Sequence, residues 1–310
     1  MMRKYTRLSV IGLLGMALLI TAACAIGGDN TGQGDLAATQ DSLSQTQIAL
    51  SVQQTIQAQP ATAPAPSAEA TDNTPTIAPP TVEPAQNCNQ VSFQGITFCY
   101  DPSLASDVST SVASAENSEM TEAFSLPERS KFEFINYVLS PTFHTPTIQV
   151  IPIQAYGNIS PSSMQVIQTL QTVLNNKPTD QESMPFLPQW NAAQMFVSKV
   201  GYVTFQNGQG VRYLTQYAQA AYPIANDTMF YTFQGITNDG QYFISAILPI
   251  SHPSLPATGD AYTGSMDDLM NNFPDYLANI RTQLNGQSDD SFSPSILTLD
   301  AMMQSFNVQP

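Results

Sequence analysis

Met229-Phe-Tyr-Thr-Phe-Gln-Gly-Ile-Thr237, then Asn238-Asp239-Gly240, then Gln241-Tyr-Phe-Ile-Ser-Ala-Ile-Leu-Pro-Ile250, is the stretch from which the fold is read. Two runs rich in aromatic and β-branched residues flank a turn tripeptide, the pattern of a β-hairpin. Side chains alternate along a strand with a period of two. Pairing across Asp239-Gly240 therefore sets Tyr231 and Phe233 on the same face as Tyr242, Ile244, Ala246 and Leu248. That face predicts the core of a sheet.

Upstream, Val91-Ser92-Phe93 and Ile96-Thr97-Phe98 around Gln94-Gly95 predict a second hairpin, with Gly95 supplying the positive φ of its turn. Lys131–Leu139 and Thr147–Ala155 read as strands. Ser160 as N-cap and Pro161 at the first helical position open a helix on which Val166, Ile167, Leu170, Val173 and Leu174 share a face, ending at Lys177-Pro178. Further strands are expected over Phe196–Gln206 and Val211–Tyr217, with Asn207-Gly208-Gln209-Gly210 as the joint. Ser265 begins a helix with Asp268 at the capping-box position, and Pro274 kinks or restarts it. Thr298 is expected to cap a last helix that buries Leu299, Met302, Met303 and Phe306. The fold class that follows is α+β, a mainly antiparallel sheet of six or seven strands flanked by two or three helices, over residues 87–310.

The residues before this domain differ in kind. Arg3, Lys4 and Arg7 precede an uncharged apolar run from Leu8 to Thr21. At about 14 residues the run is short of the roughly 20 needed to span a bilayer as a helix, and it reads as a signal peptide over residues 1–23. Residues 24–86 hold six acids and no Lys or Arg. Leu36, Leu43 and Leu50 are spaced by seven in a segment otherwise dominated by Gln, Ser and Thr, which fits a weak polar helix. Seven prolines from Pro60 to Pro84 then punctuate an Ala/Thr-rich stretch whose composition suits a spacer with a reach near 40 Å.

Thr21-Ala22-Ala23-Cys24 resembles the lipobox of bacterial lipoprotein precursors, in which small residues precede a cysteine that receives a diacylglyceryl group. The resemblance implies cleavage before Cys24, fatty acylation there (palmitate or similar chains), and a chain held on the extracytoplasmic face of the cell membrane by a stable multi-chain anchor. The same small residues also suit ordinary signal-peptidase cleavage, which would release a soluble chain. The cysteine count agrees with the lipid anchor: acylating Cys24 leaves Cys88 and Cys99, near opposite ends of the first hairpin, to form a disulfide. The ring of about a dozen residues so closed contributes roughly 3 kcal/mol.

The chain of 310 residues carries 9 Lys+Arg against 24 Asp+Glu, a formal charge of −15. With no basic patch, it is not expected to bind nucleic acid. No G-x-S-x-G elbow, phosphate-binding glycine loop or H-E-x-x-H pair occurs, so no catalytic, cofactor-binding or metal-ligating residue is assigned. His144 and His252 are the only histidines, each near a proline, and they are expected in loops. Ser251 and His252 are neighbours in an extended chain and point apart, so they are not a nucleophile and its base. Asp267-Asp268 reads as helix capping and Asp289-Asp290 as part of a polar loop.

The best candidates for binding are apolar. Met184-Pro185-Phe186-Leu187-Pro188-Gln189-Trp190 holds the only Trp. Phe186, Leu187 and Trp190, joined by Tyr213, Tyr217 and Tyr222, offer rings that could stack on a sugar or seat a partner, or else plug the sheet. Gly95-Ile96-Thr97-Phe98 leading into Tyr100-Asp101-Pro102, with a closing Leu299-Asp300…Ser305-Phe306 helix, resembles domains of the Mog1/PsbP-like type. The resemblance implies a domain that binds and assists larger assemblies without catalysing a reaction. The expected function is a noncatalytic surface lipoprotein binding an envelope protein, an envelope polymer or a small ligand. The alternative is an anchored or secreted hydrolase.

Overall fold

The computed structural model describes residues 88–139 and 141–309. The expected signal peptide, Cys24 and spacer lie outside the described residues. In chain order the strands are β1 (Asn89–Phe93), β2 (Ile96–Tyr100), β3 (Asp107–Ala113), β4 (Arg129–Ile135), β5 (Thr147–Pro152), β6 (Ala193–Gln194), β7 (Ser198–Phe205), β8 (Gly208–Thr215), β9 (Tyr217–Ala218), β10 (Phe230–Thr237), β11 (Tyr242–Pro249) and β12 (Asn307–Val308). The helices are α1 (Ile153–Ile159), α2 (Pro161–Asn176), α3 (Met266–Asn271), α4 (Phe273–Asn285) and α5 (Ile296–Gln304).

Seven strands form one sheet in the order β3-β4-β5-β11-β10-β8-β7, every neighbouring pair antiparallel. A three-stranded sheet, β1-β2-β12, and a short β6-β9 ribbon complete the strands among the described residues. The α+β class read from the sequence is the class observed.

The β10-β11 register is the expected one, with Tyr231 opposite Leu248 and Phe233 opposite Ala246. These residues meet Phe98, Leu284, Leu299, Met302 and Phe306 in the front core, beneath the small sheet, α4 and α5. Phe98 stacks on Phe306 with ring centroids 4.5 Å apart, which ties the first hairpin to the C-terminal segment. The other face is covered as well. Tyr156, Ile167, Leu170 and Leu174 of α1 and α2 pack on Ile151, Tyr213, Ile236 and Phe243. Every residue of β10 is consequently buried, and the domain has three layers around a central sheet.

Local signals account for most boundaries. The first hairpin turns through Gln94 (φ 47°) and Gly95 (φ 72°), the two positive-φ positions of a tight two-residue loop. Cys88 and Cys99 form the expected disulfide across it, with Cα atoms 5.7 Å apart. Ser160 Oγ accepts the Ser163 N–H at the start of α2, and Lys177 closes the helix in the left-handed region. Ser265 caps α3, and the chain restarts as α4 with Pro274 in its first turn.

Four local expectations are corrected. β4 stops at Ile135, short of Leu139, because Asn136 turns through φ 51°. β5 ends at Pro152, and Ile153–Ala155 belong to α1, where Ile153 and Tyr156 lie three residues apart and both plug the back core. The last helix starts earlier than expected, and Ser295 rather than Thr298 caps it, accepting the Leu297 N–H. Gly208 and Gly210 lie within β8 rather than in a turn. A Cβ at Gly210 would come 2.2 Å from the Phe233 ring, so the glycine lets that ring lie flat on the sheet. The described α-helices number five, through the α3–α4 break and the added α1.

Candidate functional site

The Met184–Trp190 loop lies on the back of the central sheet, held there by buried polar groups. Gln234 and Ser245 point away from the front core, where water would be expected, and both are buried. Gln234 Oε1 accepts the Leu187 N–H at 2.9 Å, and Ser245 Oγ donates to the Leu187 carbonyl at 2.6 Å. Gln234 Nε2 donates to Thr232 Oγ1 and Ser245 Oγ, completing the set. Tyr213 donates its hydroxyl to the Pro185 carbonyl at 2.9 Å, and its burial pushes the phenol's pKa well up.

The aromatic candidates thus divide. Phe186, Leu187 and Tyr213 are buried and attach the loop to the sheet. Trp190 and Tyr217 are half-buried, with ring centroids 5.2 Å apart, and both pack on Phe186 and Phe230. Tyr222 stands outside the cluster, its hydroxyl 3.4 Å from Asp260.

Two residues that sequence reasoning did not place here join the row. His144 stacks on Trp190 at 5.1 Å with planes 11° apart, and Phe143, 75% exposed, meets the His144 ring at 4.9 Å. His144 Nε2 is buried without a hydrogen-bond partner. Burial lowers its pKa to about 4, against a weaker opposing pull from the Thr228 backbone. The imidazole is therefore neutral at physiological pH.

Beside this row, α2 and residues 181–189 enclose an open groove of 710 Å3. Its polar lining is Ser162, Gln165, Thr169, Gln181, Ser183 and Gln189. Its apolar lining includes Val166, Val173, Met184, Phe186 and Tyr217. None of the lining residues is charged, and α2 has no charged residue along its length. The N-terminus of α2 is occupied by the chain's own carboxylate: Glu122 accepts the Ser160 and Ser162 hydroxyls, each at 3.0 Å.

The described cations are all engaged. Arg129 pairs with Glu116, Lys131 with Glu133 and Arg281 with Asp180, while Lys177 lies over the Tyr202 ring. Lys199 and Arg212 share Asp289, and Arg212 also pairs with Asp300, which accepts the Tyr231 hydroxyl at 2.9 Å. Asp289, read from sequence as part of a polar loop, is thus half of a network fastening the C-terminal segment to β7 and β8. Asp268 lies in the first turn of α3, its N–H donated to Ser265 Oγ, so Ser265 is the residue that caps.

The geometry around His252 is that of a turn. Nδ1 accepts the Ser254 hydroxyl at 2.7 Å and the Ser254 N–H at 3.2 Å, which leaves the proton on Nε2 to be donated to Ser291 Oγ. The Ser291 hydroxyl in turn donates to the Ser288 carbonyl at 2.7 Å. The ring's partners are two hydroxyls and a backbone N–H, with no carboxylate orienting it, and burial followed by the Lys199 charge lowers its pKa. Among the described residues no group of three or more His, Cys, Asp or Glu is arranged to hold a metal ion. No protein-family model and no curated protein matches the chain.

Proposed function

We propose that this chain is an exported lipoprotein whose domain is tethered through acylated Cys24 and holds an envelope component in the groove between α2 and the 181–189 loop. The observation that carries the reading is the groove itself. It is open, walled by a helix without charge and lined by the Phe186 and Tyr217 rings, on a domain whose described cations are all engaged. Such a surface selects against polyanions and offers hydrogen bonds together with ring faces. The lipobox resemblance supports the anchor, and the composition of residues 24–86 supports a spacer. The resemblance to Mog1/PsbP-like domains points the same way, to binding without catalysis.

Two measurements test this. Radiolabelled palmitate should enter the wild-type chain in a bacterial host and not the Cys24→Ser chain; an unlabelled wild type would end the lipoprotein reading. Photo-crosslinking of full-length protein in intact cells should yield an adduct that Thr169→Arg, on the exposed wall of the groove, abolishes. Adducts equal in the two would end the groove reading. A second reading, an anchored hydrolase, draws on the 2.7 Å contact between Ser254 and His252. Labelling of Ser254 by a fluorophosphonate would favour it.

A further inference from the structure

We infer that the groove takes an uncharged glycan strand, laid along α2 with its sugar faces on the Tyr217–Trp190–His144–Phe143 row. The inference rests on the reading that this groove is the binding surface, and names the ligand class. Three observations carry it.

The first is length. The α2 wall runs from Ser162 to Val173, roughly 16 Å of helix. Tyr217 lines the groove and is the first ring of the aromatic row, from which Trp190, His144 and Phe143 follow through contacts of 5.2, 5.1 and 4.9 Å, with Phe143 open to solvent. A site of this shape is a track for a polymer rather than an enclosure for a small molecule.

The second is the chemistry of the lining. Gln165, Gln181 and Gln189 each offer both a donor and an acceptor, which matches adjacent sugar hydroxyls, themselves donors and acceptors. The C–H faces of a pyranose ring are apolar and pack on aromatic surface, part of which Tyr217 and Trp190 leave exposed while their neighbours in the cluster hold both rings in place. Neutral His144 keeps the row uncharged.

The third separates a glycan from an uncharged peptide. An extended peptide gains affinity from a free strand edge that pairs with its backbone. Much of the backbone beside this groove is already spent: α2 bonds its own groups internally, Pro185 and Pro188 have no N–H, and the Leu187 N–H and carbonyl are taken by Gln234 and Ser245. A peptide strand would leave its own amides unpaired there, whereas a glycan has no such demand.

Trp190 is the only Trp in the chain, so its fluorescence reports the site without a label. Full-length Cys24→Ser protein is titrated with uncharged hexasaccharides of glucose, mannose and N-acetylglucosamine, with an oligogalacturonate as anionic control and a Ser/Thr/Gln decapeptide as peptide control. The expected result is a saturable Trp190 change with at least one uncharged hexasaccharide and none with either control. Phe143→Ala should weaken that binding several-fold and Thr169→Arg at least tenfold, with circular dichroism unchanged in both. Three results overturn the inference: no saturation with any uncharged hexasaccharide at millimolar concentration, binding unaffected by Thr169→Arg, or saturation with the decapeptide instead. If the hexasaccharides fail while Thr169→Arg still abolishes the cellular adduct, the groove reading stands and only the ligand class falls. If the adduct is also unaffected, both fall.

Discussion

Protonating His144 should cost the fold a measurable share of its stability, and the size of the effect follows from its surroundings. Its pKa is about 4 in the folded domain, against an ordinary value of 6.5. Between these values the unfolded chain binds a proton that the folded chain refuses, so stability falls as pH falls through this window and is unaffected by this group above about pH 6.5. At about 1.36 kcal/mol per unit, acidification from pH 7 to pH 4 removes at most about 3 kcal/mol. Against the 5–15 kcal/mol typical of a domain, this is large enough to measure.

The perturbation that isolates the effect is His144→Phe, which keeps an aromatic ring on Trp190 and removes both the titration and the unpartnered Nε2. Asp227 and Asp300, whose carboxyl pKa values burial raises, shift the pH dependence in the opposite sense. They are common to both proteins and cancel in the difference. Urea unfolding followed by far-ultraviolet circular dichroism at pH 7, 5.5 and 4 should show the wild type losing up to about 3 kcal/mol more than the variant, with the variant at least as stable at pH 7. Parallel pH dependences in the two proteins would refute the placement of His144 in a dry aromatic stack.

Gly210→Ala should lower stability by about 1–3 kcal/mol in thermal unfolding, since the new Cβ meets the Phe233 ring at 2.2 Å and the Gln234 carbonyl at 2.8 Å; an unchanged melting temperature would contradict the close approach. Asp300→Asn leaves Arg212 paired with Asp289 and removes a carboxylate whose charged form burial disfavours, so it should cost about 1 kcal/mol or less in urea midpoints; a loss of about 3 kcal/mol or more would contradict this. Cys99→Ser should cost about 3 kcal/mol, and reducing agent should destabilise the wild type by the same amount while leaving the variant unmoved.

Trp190 and Gln234 illustrate how far the site could be read in advance. The apolar character of residues 184–190 marked the loop as unusual, and its solitary Trp made it a candidate. What the linear pattern could not show is that Phe186, Leu187 and Tyr213 face inward while Trp190 and Tyr217 remain half-open. Alternation along β10 and β11 points to one apolar face and leaves open what covers Thr232, Gln234 and Ser245 on the other. They are buried because the loop backbone meets them, a complementarity that neither segment displays alone. His144 carried no signal beyond a nearby proline. Its stack on Trp190 could have been suspected only from the scarcity of His and Trp in the chain.

Features settled by a few neighbouring residues were therefore legible in the order of amino acids: the Gln94-Gly95 turn, the Ser160-Pro161 helix start, the break at Pro274, and the register across Asp239-Gly240. Each depends on dihedral preferences and hydrogen bonds closed within one turn of chain. The burial of the second sheet face, the uncharged groove, the His144–Trp190 stack and the Arg212–Asp289–Asp300 network emerged only on folding. They join groups separated by 47 residues between Leu187 and Gln234 and by 88 between Arg212 and Asp300. Contacts that distant depend on which surfaces the rest of the core leaves facing each other, and local propensity carries no record of that.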